Sequence, residues 1–293
     1  MRASPVALIA LLALPAAADE LSFVGATEWG FEAVNGVSGL EFSDDGSRFW
    51  AVTDRGWYLT GAVTRTGDGT LDKVTVTRIA PLLGQDGFPV TARRVGDWSD
   101  AEGLAMLPDG TAFVAFERWA HVSRYDDLRG RANPTRDHPT FHDYFDNRQL
   151  EAIAVAPDGT VYAFPESVGP GRDGFLVYRL NGNEWDIAGK ITPLDAFALV
   201  GADYDDQGRL YLLERKLTLG LWWQNRIRRF ETPDGMGEIL WTSRPGEFTN
   251  LEGIALWRDD QGLRITMVSD NNQRPSEPTT FVEFRLTAEP AQE

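Results

Sequence analysis

The sequence contains no cysteine. That excludes disulfide staples, thiolate metal sites, a cysteine nucleophile and a lipoprotein anchor. Positive charge is scarce: 28 Lys and Arg stand against 44 Asp and Glu, for a formal net charge of -16. Such a chain repels phosphate backbones and anionic membrane surfaces, so nucleic acid is not an expected partner. Histidine is rare, and the pair His138 and His142 in "HPTFH" falls in strand or loop context, which is not a helical zinc motif. The serine-hydrolase elbow G-x-S-x-G is missing; "GVSGL" lacks its last spacing. "GPGRDG" at 169–174 runs into a strand-like segment, whereas a dinucleotide fingerprint opens a helix. "DYDDQGRLYLLE" at 203–214 has loosened EF-hand spacing but no flanking helices. Beyond the N-terminus no apolar run is long enough to cross a bilayer as a helix, so no integral membrane segment is expected in the mature chain.

What is present begins with an export signature. Arg2 precedes an apolar stretch over 6–14, and Ala16-Ala17-Ala18 forms an A-x-A cleavage site. Residues 1–18 therefore read as a signal peptide. The mature chain is expected to start at Asp19 and to be periplasmic or secreted.

The chain is 42% hydrophobic with 10 Trp and 16 Phe, which is enough for a sizeable core. Its dominant feature is repetition. Five segments share one pattern: "VSGLEFSDDGSRFWAVTDRG" from 37, "DAEGLAMLPDGTAFVAFER" from 100, "QLEAIAVAPDGTVYAFPE" from 149, "LVGADYDDQGRLYLLERK" from 199 and "NLEGIALWRDDQGLRITMVSDNN" from 250. Each is an alternating apolar run, an Asp/Gly turn and a second alternating run, which is a β-hairpin signature. A period near fifty residues with strand content points to propeller blades. Two more strand-like runs follow each hairpin, except the last, which has only "TTFVEFRL". The N-terminal "LSFVGATEWGF" can supply its missing strand and close the ring, removing exposed edges. The fold expected is all-β: a β-propeller of five four-stranded blades, as one domain over 19–286 with a flexible tail at 287–293. Six blades stay open, because the stretch 83–99 lengthens the first interval. The polar stretch 129–139 reads as a loop, and "TFHDYFD" as an outer strand.

The hairpins place acids at one end and Asp/Gly turns at the other. With two-residue type I′ turns at Asp109-Gly110 and Asp158-Gly159, Glu102 faces Glu117 and Glu151 faces Glu166. Like charges directly opposite destabilise a strand pair. Glu252 and Asp270 nearly repeat the arrangement, and Asp54 stands near Ser38. In a propeller these ends converge on one mouth of the central channel, interleaved with Arg55, Arg118, Arg215 and Lys216. Two readings follow. Either each acid is neutralised by a neighbouring arginine, or Glu102, Glu117, Glu151, Glu252, Asp54 and Asp270 bind a hard cation. Oxygen-only ligands favour Ca²⁺, with Mg²⁺ the alternative. Trp222 and Trp223 in "LTLGLWWQN" follow the fourth hairpin and are expected in a loop at the mouth, as a substrate wall or a packed loop.

The ordered series "SGLEFSDDGSRFWAVTDRG", "AEGLAMLPDGTAFVAFER", "LEAIAVAPDG", "LLERK" and "LEGIAL…VSDNN" resembles the bacterial phytase-like family with esterase-like activity, across essentially the whole mature chain. The resemblance implies a secreted β-propeller that hydrolyses a small-molecule phosphoester or ester. In that reading a metal-activated water attacks, Glu166 or Glu214 acts as general base, and Arg55, Arg118 and Arg215 with Asn271, Asn272, Trp222 and Trp223 hold the substrate. The alternatives are a lactonase similar to the gluconolactonase/regucalcin propellers, with Glu102, Asp270 and Asn271 at the metal, and a non-catalytic binding propeller of the cell envelope.

Overall fold

The computed structural model of the chain describes residues 19–29, 35–92, 99–144, 148–272 and 277–288. The described part is almost entirely β, in five four-stranded antiparallel sheets. Blade one holds β2 (Val37–Phe42), β3 (Arg48–Thr53), β4 (Trp57–Arg65) and β5 (Leu71–Pro81). Blade two holds β6 (Ala101–Met106), β7 (Ala112–Phe116), β8 (His121–Tyr125) and β9 (Asn133–Pro134). Blade three holds β10 (Leu150–Val155), β11 (Val161–Pro165), β12 (Phe175–Asn181) and β13 (Glu184–Ile191). Blade four holds β14 (Ala198–Tyr204), β15 (Leu210–Thr218), β16 (Trp222–Phe230) and β17 (Glu238–Thr242). Blade five holds β18 (Asn250–Asp259), β19 (Gly262–Asp270), β20 (Thr279–Ala288) and the N-terminal β1 (Asp19–Trp29). The ring is therefore five-bladed, and β1 closes it by pairing antiparallel with β20.

Each blade buries apolar side chains from both faces, so the core is divided into five clusters, one between each pair of neighbouring blades. Phe49, Trp257 and Phe281 belong to the cluster where blade five meets blade one. Leu104 and Phe116 pack between blades one and two, and Leu213 and Ile265 between blades four and five. The seam between blades five and one also carries ions: Glu283 accepts from Arg65 of blade one at 2.7 Å and from Arg264 of its own blade at 2.5 Å.

Two local expectations are corrected. The outer strand of blade two is Asn133–Pro134, inside the stretch read as a loop, and "TFHDYFD" begins as a 3₁₀ turn over Pro139–Asp143. His138 caps that turn, Pro139 fixes its first φ, and Phe141 is fully buried beneath it. The hairpin turns are not type I′. Only the glycine has positive φ, +91° at Gly110 and +84° at Gly159, and the closing pairs are Leu107 with Thr111 and Ala156 with Thr160. These are three-residue loops with a left-handed glycine, and they move the register by one residue.

Candidate functional site

A β-bulge adds a further one-residue slip near the other end of the hairpin, and it recurs in all five inner strands. The register slips between Val37 and Gly39, Ala101 and Gly103, Leu150 and Ala152, Leu199 and Gly201, and Leu251 and Gly253. The extra residues are Ser38, Glu102, Glu151, Val200 and Glu252. A bulge re-aims the side chain of the residue it leaves unpaired; Ser38, Glu102, Glu151 and Glu252 line the cavity at the mouth. In four blades the next residue is glycine, because the ring is tight there. A Cβ on Gly253 would lie 2.8 Å from the Ser38 carbonyl oxygen, and one on Gly201 would lie 2.6 Å from that of Glu252.

The second strand of each hairpin supplies an outer ring. Its members pair with Gly36, Asp100, Gln149, Ala198 and Asn250, and they are Asp54, Glu117, Glu166, Arg215 and Asp270 respectively. Glu117 thus lies opposite Asp100 rather than Glu102, and Glu166 opposite Gln149 rather than Glu151. In blade four the register gives the outer-ring place to Arg215. Glu214, one residue earlier, points to the other face, as strand alternation requires.

The two rings enclose a cavity of about 490 Å³. Among the described residues, eight carboxylates and three arginines line it: Asp54, Asp100, Glu102, Glu117, Glu151, Glu166, Glu252 and Asp270 with Arg118, Arg148 and Arg215. Oxygens of Asp100, Glu102 and Glu117 lie within 4.8 Å of one another. Burial, followed by the charges of Asp100 and Glu117, pushes Glu102 well above the usual carboxylate range, although the Ser38 hydroxyl hydrogen-bonds it. Asp100 is raised too, by burial first, while the charge of Arg118 and the closeness of Asp100 to Glu102 pull the other way. Glu117 is raised to about 8, by burial first and then by Asp100 and Glu166; Arg215 and Arg118 partly offset this. Its residue is only 8% exposed. Burial likewise raises Glu151 and Asp270.

Arg215 is the most buried of the three cations. It reaches Glu252 and Asn250, with Glu166 at 3.4 Å and Glu151 at 3.5 Å, and its guanidinium sits 5.3 Å from the centre of the Trp223 ring. Arg118 pairs with Asp100 at 3.1 Å on the rim. Arg148 lies 3.9 Å from Glu166.

The structure brings together Glu102, Glu117, Glu151, Glu252, Asp54, Asp270, Glu166, Arg118, Arg215 and Asn272. Four expected residues are placed elsewhere. Glu214 is fully buried between blades, held by Arg226 at 2.7 Å and by Arg228, and does not reach the cavity. Although "LLERK" and "AFER" share the pair ER, the strand register puts Arg215, not Glu214, at the place Glu117 holds in blade two. Arg55 is exposed outside the cavity lining. Asn271 turns its amide away, donating to the Asn35 side chain at 2.7 Å and accepting from the Gly36 backbone N–H at 3.3 Å. Trp222 is on no loop: β15 and β16 pair without interruption to Thr218 and Trp222, and only Leu219-Gly220-Leu221 turn the chain. That hairpin overshoots Arg215 by three residues, and Trp223 flanks the mouth through its contact with Arg215. Sequence reasoning missed Asp100, Arg148 and Asn250. Asp100 and Asn250 had a signal, since Asp100 directly precedes the first strand of its repeat and Asn250 opens the first strand of its own.

An all-oxygen donor set of buried carboxylates, one of them without a hydrogen-bond donor among the described residues, fits a hard divalent cation. The arrangement can also hold a proton at Glu117 and present guanidinium charge across the same cavity.

The fold is similar to PQQ-bound aldose sugar dehydrogenase from Streptomyces coelicolor, at 13% identity and a TM-score of 0.52, covering 94% of this chain and 100% of that one. It is also similar to a gluconolactonase from Xanthomonas campestris, at 14% identity and a TM-score of 0.46, covering 93% and 97%. These likenesses are of fold alone. No curated protein sequence matches. The family model described as "Phytase-like: Esterase-like activity of phytase" matches residues 32–273, over the blades that build the acidic mouth, and the chain belongs to this phytase-like family.

Proposed function

We propose that the protein is a divalent-cation-dependent hydrolase of an ester bond in a small molecule, working at the acidic mouth. The observation that carries this is Glu117: a buried carboxylate beside Asp100 and Glu102 with no hydrogen-bond donor among the described residues. An isolated buried charge is costly, so such a group either keeps a proton or meets a cation. Asp100, Glu102 and Glu117 would hold the ion, with Ca²⁺ the first candidate and Mg²⁺ the second. When bound, the cation supplies Lewis-acid polarisation and lowers the pKa of water.

The chain's own residues do the rest. Glu166, on the adjacent blade with its side chain 13% exposed, is placed to take a proton from the attacking water. Arg118 and Arg215 flank the cavity and stabilise negative charge developing on the ester oxygens. Asn272 lines the same wall, and Trp223 borders it as an apolar side for the substrate's body. With eight carboxylates against three arginines, a carboxylic ester meets less repulsion than a highly charged phosphate. A lactone, an ester closed into a ring, meets the same chemistry, so a lactonase is the second reading.

Hydrolysis of an aryl phosphate, an aryl acetate and a γ-lactone, each with millimolar Ca²⁺ and with EDTA, tests the proposal. Calcium-dependent turnover lost in Glu117→Gln supports it and identifies the bond. No turnover in any arm favours a binding propeller of the cell envelope. The export signature at 1–18 lies outside the described residues; we propose on the sequence that the chain works in the periplasm or beyond.

A further inference from the structure

The charge around the mouth is unevenly spread. On the side of blades one and two stand Asp54, Asp100, Glu102 and Glu117, and Arg118, which pairs with Asp100, is half-exposed on the rim. On the side of blades three to five, Glu151, Glu166, Glu252 and Asn250 all turn a side-chain oxygen toward one guanidinium, that of Arg215. These partners come from both rings and from two blades besides that of Arg215. In the four other blades the outer-ring place of Arg215 is taken by a carboxylate.

We propose that Arg215 occupies the place of a second divalent cation. The donors around it are oxygens only, three of them carboxylates, which is the set a hard cation recruits. They already ligate a cation, the chain's own, tethered to β15. Its single positive charge offsets part of that cluster and leaves the blade-one and blade-two cluster as the one open to a metal from solution. Arg215 therefore sets how many ions the mouth holds, and it confines the ion to the Asp100–Glu102–Glu117 side. Tethering has a second effect. A guanidinium stacked beside Trp223 cannot diffuse away, so the cavity keeps one fixed cation for an anionic substrate group at any calcium concentration.

This inference rests on the metal reading of the same cavity, and the test separates the two. Calorimetric titration of the full mature chain with CaCl₂ is expected to give one ion for the wild type, two for Arg215→Gln and one for the charge-retaining Arg215→Lys. Glu252→Gln removes a carboxylate from the Arg215 side only, and calcium affinity is expected to stay within about twofold of wild type. It also keeps the inference testable if Arg215→Gln fails to fold. One ion in Arg215→Gln, or loss of calcium binding in Glu252→Gln, overturns the assignment of Arg215 while leaving the hydrolase reading standing. Absence of calcium binding in both wild type and Arg215→Gln overturns both.

Discussion

Glu117 is the residue on which most of the chemistry turns. Its pKa is raised from 4.5 to about 8, chiefly by burial. A folded pKa above the unfolded one means the protonated form is the stabilised form. The metal-free protein is therefore expected to hold this contribution fully below about pH 4.5 and to lose it as pH rises through about 8. A cation replaces the proton, so calcium affinity should rise about tenfold per pH unit between pH 6 and 8, with proton release on binding. Titration in two buffers of different ionisation enthalpy measures both; affinity flat with pH contradicts the assignment. Glu214 makes the opposite case. Its carboxylate is closed between Arg226 and Arg228, so Glu214→Gln leaves two buried guanidiniums short of their counter-charge. Removing one partner of a buried pair costs roughly 3–5 kcal/mol. Denaturant unfolding should show that loss, while calcium binding by the folded fraction is unchanged. A stable variant that no longer binds calcium would return Glu214 to the cavity.

At the scale of the element, the recurring bulge explains what the sequence could and could not tell. Alternation and Asp/Gly turns made the hairpins legible, and the fifty-residue period made the blades legible. Strand direction puts the acids ending hairpins one, two, three and five at one mouth, and Glu214 of the fourth is the exception. Their partners were not legible, because a two-residue and a three-residue turn look alike in "PDG" and differ by one step in register. The bulge at Glu102 adds a second step of slip, so Glu117 pairs with Asp100, yet oxygens of Asp100, Glu102 and Glu117 still lie within 4.8 Å of one another. Blade four shows the cost of the ambiguity: Glu214 and Arg215 exchange faces under a one-residue slip. The bulge also explains the glycines. A Cβ at Gly253 would press on the Ser38 carbonyl at 2.8 Å, across the seam that closes the ring. Gly253→Ala is expected to cost about 1–3 kcal/mol through that overlap. Gly110→Ala, in an open turn, should pay only the left-handed penalty of about 1–2 kcal/mol. Paired urea melts compare them; a neutral Gly253→Ala would mean the inner strands are not so close.

At the scale of the whole molecule, the five sheets form a ring whose free energy is divided among inter-blade cores, and the mouth is where that ring carries uncompensated charge. Export leaves its own test. Protein from the native host should begin at Asp19 by N-terminal sequencing, and a retained Arg2 would contradict it. The central claim is that the mouth binds a divalent cation through Glu117 and its neighbours. Thermal unfolding of the mature chain and of Glu117→Gln, at pH 8 with millimolar Ca²⁺ or with EDTA, tests it most directly. At a hundredfold excess over Kd, binding to the folded state alone adds about 2.7 kcal/mol. For a domain of this size that is a rise of about 5 °C or more in the wild-type Tm. Glu117→Gln should melt at or above the wild-type EDTA value and show no response to calcium. Coincident wild-type curves in calcium and EDTA would contradict the metal site and leave a ring of carboxylates held by protons and arginines alone.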